Sequence, residues 1–187
     1  MATGIVLCIR ANLGITPISC PPYVLSLGLS PTVGQFTILM HLVLTAGQWL
    51  LLRREFRPVQ WLQILLALVF GCFIDGCMWL TSPLVPANYL TCILILLAGN
   101  VLLALGMHFE MRSHLILVPT DGFVQALCRR TGLPFSCLKI AFDVSLLLIS
   151  ITCSLILLNR IEGIREGTFI SAFLVGYLVG LIRKVPF

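Results

Sequence analysis

The sequence predicts an all-α membrane protein whose six transmembrane helices form two inverted three-helix repeats, each with a proline-broken interfacial or re-entrant segment. The composition is the first reason. Of the 187 residues 59% are hydrophobic and 10% are charged, and the mean hydropathy of +1.07 lies far above that of a soluble domain. The second reason is that the apolar residues form runs close to the roughly 20 residues that a helix needs to cross a bilayer. The third is a spacing of glycine, arginine and proline that occurs twice.

The first element is short. Residues 1–16 are apolar except for Arg10 and Asn12, and Arg10 lies close to the start of the chain. At about 1.5 Å per residue, a helix that ends there falls short of the membrane core, which is about 30 Å thick. We therefore expect the first helix to be truncated or to be a partial span. Residues 18–30 are uncharged and contain a Pro-Pro pair, which predicts a connection or a short helix that lies at the interface or dips into the membrane.

Full spans are predicted at residues 32–52, 59–80, 89–109, 135–158 and 168–182. The second of these has Trp61 near one end and Trp79 near the other, where tryptophan is enriched at the membrane interface. Between the third and fourth spans, residues 122–130 are typical of a short amphipathic helix, with Asp121 as its N-cap or as an acidic residue of its first turn.

Basic residues cluster between the apolar runs and predict the topology. If the chain crosses six times, these clusters fall on one side of the membrane; they are Arg53, Arg54, Arg57, Arg112, Arg129, Arg130, Arg183 and Lys184. The positive-inside rule then puts both termini in the cytoplasm. Topology also explains the formal net charge of +5, so we expect a lipid bilayer and no nucleic acid as partner. The oligomeric state stays open.

The repeat is visible in the spacing of three residue types. Gly4, Arg10 and Pro17 have the same spacing as Gly106, Arg112 and Pro119. The same alignment pairs Ser19 with Asp121 and, after short shifts, Gln35 with Lys139 and Gly71 with Gly176. The chain is thus interpreted as one membrane domain, residues 1–187, with a first repeat at about 1–82 and a second at about 88–187. Because three spans are an odd number, the two copies have opposite orientations, as in many secondary transporters.

Several segments resemble a known group of proteins. They are the run Arg-Ala-Asn-Leu-Gly-Ile-Thr-Pro-Ile-Ser at 10–19, the Pro-Thr-Asp-Gly run at 119–122, the pair Lys139 and Asp143, and the loop at 163–168. Together they resemble the YczE/YyaS/YitT group of bacterial integral membrane proteins. The resemblance implies a multi-pass protein of the bacterial inner (plasma) membrane and no settled activity. The chain departs from that group in lacking the first half of the opening helix.

Charged residues within or beside the spans are the candidate site residues. Lys139 and Asp143 are spaced i, i+4 and can face each other, either as a substrate or proton site or as a structural ion pair. Arg10 and Arg112 are related by the repeat and suit an anionic ligand, although each also fits a structural role. Asp75 is a candidate for proton coupling, as is Asp143.

Asp121, the three histidines and the eight cysteines are weaker candidates for a functional site. Asp121 is a weaker candidate ligand, because a helix-capping role explains it as well. The three histidines, His41, His108 and His114, are too scattered for a metal site, and His41 is most simply a partner in a hydrogen bond between helices. The eight cysteines form no metal-binding spacing and are interpreted as small apolar side chains.

The sequence favours transport over catalysis. It contains no nucleophile and base pattern, phosphate-binding loop or dinucleotide motif, so we expect no enzyme activity, no cofactor and no metal. The favoured function is a secondary transporter or exporter of a small solute, with an anionic solute suggested by the arginines. The alternatives are a membrane-embedded binding module, like the capture subunit of an energy-coupling-factor transporter, and a scaffold or regulatory membrane protein that transports nothing.

Overall fold

The protein is described by a computed structural model that covers residues 1–56, 58–113 and 118–182, and all regular elements in these ranges are helical. The α-helices are α1 (Ala2–Ala11), α2 (Cys20–Gly28), α3 (Val33–Leu52), α4 (Leu62–Leu80), α5 (Tyr89–Ser113), α6 (Pro119–Thr131), α7 (Phe135–Leu158) and α8 (Glu166–Ile182). Short 3₁₀ helices occur at Pro17–Ser19, Arg53–Glu55 and Pro58–Trp61. Arg57, His114, Arg183 and Lys184, which entered the sequence analysis, lie outside the described residues.

Among the described residues, four helices are long and apolar enough to cross a membrane, which makes the chain an all-α membrane protein. These segments are Val33–Leu52, Pro58–Leu80, Tyr89–Glu110 and Phe135–Leu158. They agree closely with four of the five full spans that the hydropathy predicts. The helix α8 has 17 residues and α1 has 10, and both belong to the shorter apolar helices.

Proline and glycine define the ends of the two short helices, α2 and α6. The 3₁₀ turn before α2 begins with Pro17, and α6 begins with Pro119, because proline fits a first helical position, where its missing N–H is not needed. Gly132 ends α6 with a φ of 72°, a left-handed conformation that glycine adopts without strain. The helix α6 therefore starts earlier than predicted. Val118 is its N-cap, and Asp121 is an acidic residue of the first turn and not the cap.

The helices α1 and α5 are antiparallel and very close. A methyl group built on Gly4 would lie 2.7 Å from the carbonyl oxygen of Gly99 and 2.8 Å from the amide nitrogen of Leu103. Further along, Gly106 lies against the backbone of Met1, and Gly99 lies against Cys8. Small residues allow this approach, as is common where membrane helices pack.

The two short helices, α2 and α6, pack on long helices from the other half of the chain. The helix α2 packs on α7, and α6 packs on α3. Two further contacts lie within each half, where α1 packs on α4 and α5 packs on α8.

The two ends of the bundle differ in charge. At one end, which we call the basic end, Arg130 Nε donates a hydrogen bond to the carbonyl of Leu51, so that Arg130 lies beside Arg53. At the opposite end, Arg165 donates to the carbonyl of Asn12 at 3.1 Å. The connections that carry Arg53 and Arg130 thus share one end.

Candidate functional site

A cavity of about 350 Å³ lies inside the bundle between the two proline-broken segments. The turn at Pro17–Ser19 forms part of its wall, and the start of α6 forms another part. The helices α1, α3, α4, α5, α7 and α8 complete the lining. Its volume is at the lower end of the range for small-molecule sites, which is about 300–1,000 Å³.

An ion-pair cluster occupies the cavity wall at α6 and α7. Lys139 Nζ donates to Asp121 Oδ1 at 2.8 Å and lies 3.7 Å from Asp143 Oδ1. The side chains are 21%, 17% and 29% exposed for Lys139, Asp121 and Asp143, so all three are mostly removed from solvent. The predicted pair of Lys139 and Asp143 is therefore present, but the shorter contact of Lys139 is with Asp121. One ammonium is shared between two carboxylates.

Glu110 adds a third carboxylate to the cavity lining. Its Oε1 accepts a hydrogen bond of 2.9 Å from the backbone N–H of Val118, the residue that precedes Pro119. The contact joins the end of α5 to the start of α6 and fixes the position of the break between them. Glu110 was not among the site residues predicted from the sequence. Its one available signal was a carboxylate at the end of a span, close before a proline.

Three lining residues carry buried polar atoms that have no hydrogen-bond partner among the described residues. They are His41 Nδ1 on α3, Ser171 Oγ on α8 and Asp143 Oδ1 on α7, whose ion-pair partner Lys139 Nζ lies beyond hydrogen-bond distance at 3.7 Å. His41 is 4% exposed and Ser171 is 0% exposed. His41 stacks on Phe70 of α4 with ring centroids 5.9 Å apart. Since buried polar groups are nearly always paired, three such atoms at one cavity indicate a place for a polar ligand.

The two arginines predicted to bind substrate do not line this cavity. Arg10 donates to the carbonyl of Met78 at 2.6 Å and to Thr81 Oγ1 at 3.3 Å, at the C-terminal end of α4. Arg112 is exposed near the C-terminal end of α5. Because α1 and α5 are antiparallel, the contacts at Gly99 and Gly106 put the two arginines about 22 Å apart along the helix axis, at about 1.5 Å per residue. They therefore lie toward opposite ends of the bundle.

Asp75 also lies outside the residues that line the cavity. Its Oδ2 accepts from Thr32 Oγ1 at 2.6 Å, and its Oδ1 accepts from the N–H of Gly34 at 2.8 Å. Both oxygens therefore accept hydrogen bonds at the N-terminus of α3, where the helix dipole favours a carboxylate. Asp75 thus ties α4 to the start of α3, where Gly34 and Gly71 bring the two helices into contact.

A buried amide pair supports the start of α6. Gln48 Nε2 donates to the carbonyl of Pro119 at 2.9 Å and to Gln63 Oε1 at 3.1 Å. Both glutamines are fully or almost fully buried. A polar residue within a long apolar run was the only sequence signal for either of them. Through these bonds α3 and α4 hold the wall of the cavity that carries Asp121.

These features define a class: a polytopic all-α membrane protein with a charged cavity in its helix bundle. The chain belongs to a family of unknown function, DUF6198, which matches residues 1–184. No curated protein and no solved structure matches the sequence significantly. The family description does not mention the YczE/YyaS/YitT group, so that relationship stays a prediction.

Proposed function

We propose that the protein is a secondary transporter of a small solute, which binds in the cavity between two inverted repeats. The observation that carries this proposal is that both proline-broken segments, Pro17–Ser19 and the start of α6, line one cavity that also contains the Asp121–Lys139–Asp143 cluster. In inverted-repeat transporters, solute sites lie at the repeat interface and are built from interrupted helices.

Reciprocal contacts between α1 and α5 support the repeat. The alignment pairs Gly4 with Gly106, and the same spacing pairs Met1 with Leu103. Gly4 contacts the backbone of Leu103, and Gly106 contacts the backbone of Met1. Each contact is therefore the counterpart of the other, as a two-fold relation requires. The axis of that relation passes between α1 and α5.

Helix pairing follows the same relation. In the repeat, α1, α2, α3 and α4 correspond to α5, α6, α7 and α8. The contact of α2 with α7 then corresponds to that of α6 with α3, and the contact of α1 with α4 corresponds to that of α5 with α8.

The cavity lies on this proposed axis, since many of its lining residues are repeat counterparts. The pairs include Ile5 with Met107, Thr16 with Val118, Ser19 with Asp121, and Phe70 with Val175. A cavity that two inverted copies line in this way has equivalent routes to the two sides of the membrane. Alternating access then needs one route to close as the other opens.

The proposed topology has six crossings, with the basic end and both termini in the cytoplasm and the chain in the bacterial inner membrane. The shared position of Arg53, Arg112 and Arg130 at one end supports this orientation. In this topology α8 supplies the fifth crossing, and α1, whose 10 residues are too few to span the membrane core, supplies a partial sixth.

Within the cavity, Asp143 is the proposed coupling carboxylate. It shares Lys139 with Asp121 and is the more distant of the two partners, with Nζ–Oδ1 distances of 3.7 Å for Asp143 and 2.8 Å for Asp121. When a proton or a cationic solute binds Asp143, the attraction between Asp143 and Lys139 weakens, and Lys139 can pair more strongly with Asp121 at the start of α6. Binding at Asp143 is thereby coupled to one of the two proline-broken segments.

Side-specific labelling tests the proposal without knowledge of the solute. Thr16→Cys and Val118→Cys are counterparts in the repeat, and both residues are half-buried cavity residues. A membrane-impermeant maleimide is applied to oriented vesicles from one side or the other, with the unsubstituted protein as the background control. A transporter exposes both positions to both sides over time. Labelling of each position from one side only, under all conditions, would contradict transport and favour a capture module or a scaffold.

A further inference from the structure

We infer that the cavity binds a small organic amine in its ammonium form, with an apolar body, and not the anionic solute that the arginine pair suggested. The inference rests on the proposed function only where it calls the amine a transported solute. The binding claim itself rests on the charges, the unpartnered atoms and the walls of the cavity.

The charge balance of the lining favours a cation. Three carboxylates line the cavity, from Glu110, Asp121 and Asp143, and they come from three different helices. In the Asp121–Lys139–Asp143 cluster, Lys139 Nζ lies within 4 Å of both carboxylates, so two carboxylates share one ammonium. An anion that approaches this cluster meets one uncompensated negative charge, whereas a cation balances that charge, which is costly away from water.

The unpartnered atoms match the donors of an ammonium group. Ser171 Oγ can accept a hydrogen bond, and His41 Nδ1 accepts in one neutral tautomer. Asp143 Oδ1 lies 3.7 Å from Lys139 Nζ, so it can accept a shorter bond from a ligand. They come from α7, α8 and α3, so a single bound group that reached all of them would join three helices. A primary ammonium has three N–H donors and no acceptor, which fits such a set.

The remaining walls are apolar and suit a hydrocarbon body. They include the side chains of Ile5, Leu103, Met107 and Val175, together with the ring of Phe70. An aromatic ring can also attract a cation over its face at distances up to about 6 Å. A strongly hydrated inorganic cation would gain nothing from these walls, whereas an organic amine would bury its body against them.

A second, apolar groove gives the amine access from the bilayer. This groove shares His41, Phe70 and Glu110 with the cavity. It is also lined by Leu66 and Phe73 of α4, both of which are exposed at the surface of the helix bundle. An amphiphilic amine can therefore partition into the membrane and reach the carboxylates with its body still in apolar surroundings.

A matched set of three ligands tests the charge preference. The ligands are 2-phenylethylamine, 2-phenylethanol and 3-phenylpropanoate, which share a phenylethyl body and carry a cationic, a neutral and an anionic group. Binding to the protein in nanodiscs is measured by calorimetry, with empty nanodiscs as the control for partitioning. We expect the amine to bind at least about tenfold more tightly than the alcohol, which corresponds to one interaction of about 1.4 kcal/mol. Equal or tighter binding of the alcohol or the propanoate overturns the inference.

Two substitutions test the residues. Asp143→Asn keeps the size of the side chain and should weaken amine binding at least about tenfold with little effect on the alcohol. Lys139→Gln removes the competing ammonium and should strengthen amine binding. The control is Ser145→Ala on the exposed surface of the same helix, α7, and thermal unfolding verifies that each variant folds. Unchanged amine binding in folded Asp143→Asn contradicts the inference. The inference is also contradicted if 3-phenylpropanoate binds the unsubstituted protein and this binding is lost in Lys139→Gln.

The failure of this inference can be told apart from failure of the proposed function. Amine binding without flux in proteoliposomes would leave the ligand class intact and contradict transport. Flux of the propanoate, dependent on Lys139, would leave transport intact and contradict the ligand class.

Discussion

Substitution of Gly4 by alanine should destabilise the protein through the contact between α1 and α5. The added methyl group would lie under 3 Å from the backbone of Gly99 and of Leu103, and backbone atoms cannot rotate away. Overpacking of this kind costs about 1–3 kcal/mol, and the better helix propensity of alanine returns about 0.5–1 kcal/mol. The net loss is therefore about 1–2 kcal/mol. Gly76→Ala is the matched control, since a methyl group there meets nothing within 4 Å and should be neutral or slightly stabilising.

Thermal unfolding of the purified variants in one detergent measures the difference. For a chain of this size, 1 kcal/mol shifts the midpoint by about 2–4 °C. A gap of about 2 kcal/mol between the two alanine variants then corresponds to about 4–8 °C. If Gly4→Ala were as stable as Gly76→Ala, the close approach of α1 to α5 would be wrong, and with it the reciprocal contacts that support the repeat.

Three other substitutions separate structural roles from the site. Asp75→Asn should lower the free energy of unfolding by about 1–2 kcal/mol, because the start of α3 loses its charged partner. The affinity for the amine should stay unchanged, and a changed affinity would show that Asp75 belongs to the binding site. Arg10→Gln should also lower the unfolding midpoint without a change in ligand binding, because its partners are Met78 and Thr81; loss of binding would refute that assignment. Gln48→Met, which leaves the carbonyl of Pro119 without its donor, should cost about 1–3 kcal/mol in chemical or thermal unfolding, and an unaltered midpoint would contradict the support that we assign to this bond.

The helices were largely predictable because the membrane limits the possible structures. Inside lipid every backbone polar group must be paired within the segment, so an apolar run of sufficient length becomes a helix with little influence from its neighbours. The long spans agree with hydropathy for this reason. The short helices at Cys20–Gly28 and Pro119–Thr131 were also predictable, since proline and glycine bound each of them. The predicted start of the second helix is too late because Asp121 also fits a cap position by residue type, whereas Pro119 itself begins the helix.

The site was predictable only where its residues are neighbours on one helix. Lys139 and Asp143 are one helical turn apart, so their proximity follows from helix geometry. The shorter contact of Lys139 with Asp121 depends on how α6 folds back against α7, which no local pattern specifies. His41 and Ser171 are single polar residues in apolar runs, and a sequence does not distinguish a cavity-facing one from one bonded to its own backbone. The arginines were selected for their spacing, yet spacing alone does not reveal that antiparallel helices separate them.

Counterflow in liposomes is the most direct test of transport through this cavity. Proteoliposomes without any partner protein are loaded with unlabelled benzylguanidinium, a cation that stays charged at accessible pH and crosses lipid slowly, and a trace of the labelled compound is added outside. The proposed transporter should accumulate the label transiently above its equilibrium level, and Asp143→Asn should abolish that accumulation while Ser145→Ala retains it. Accumulation equal to that of protein-free liposomes, from a protein that binds the same cation, would contradict the account.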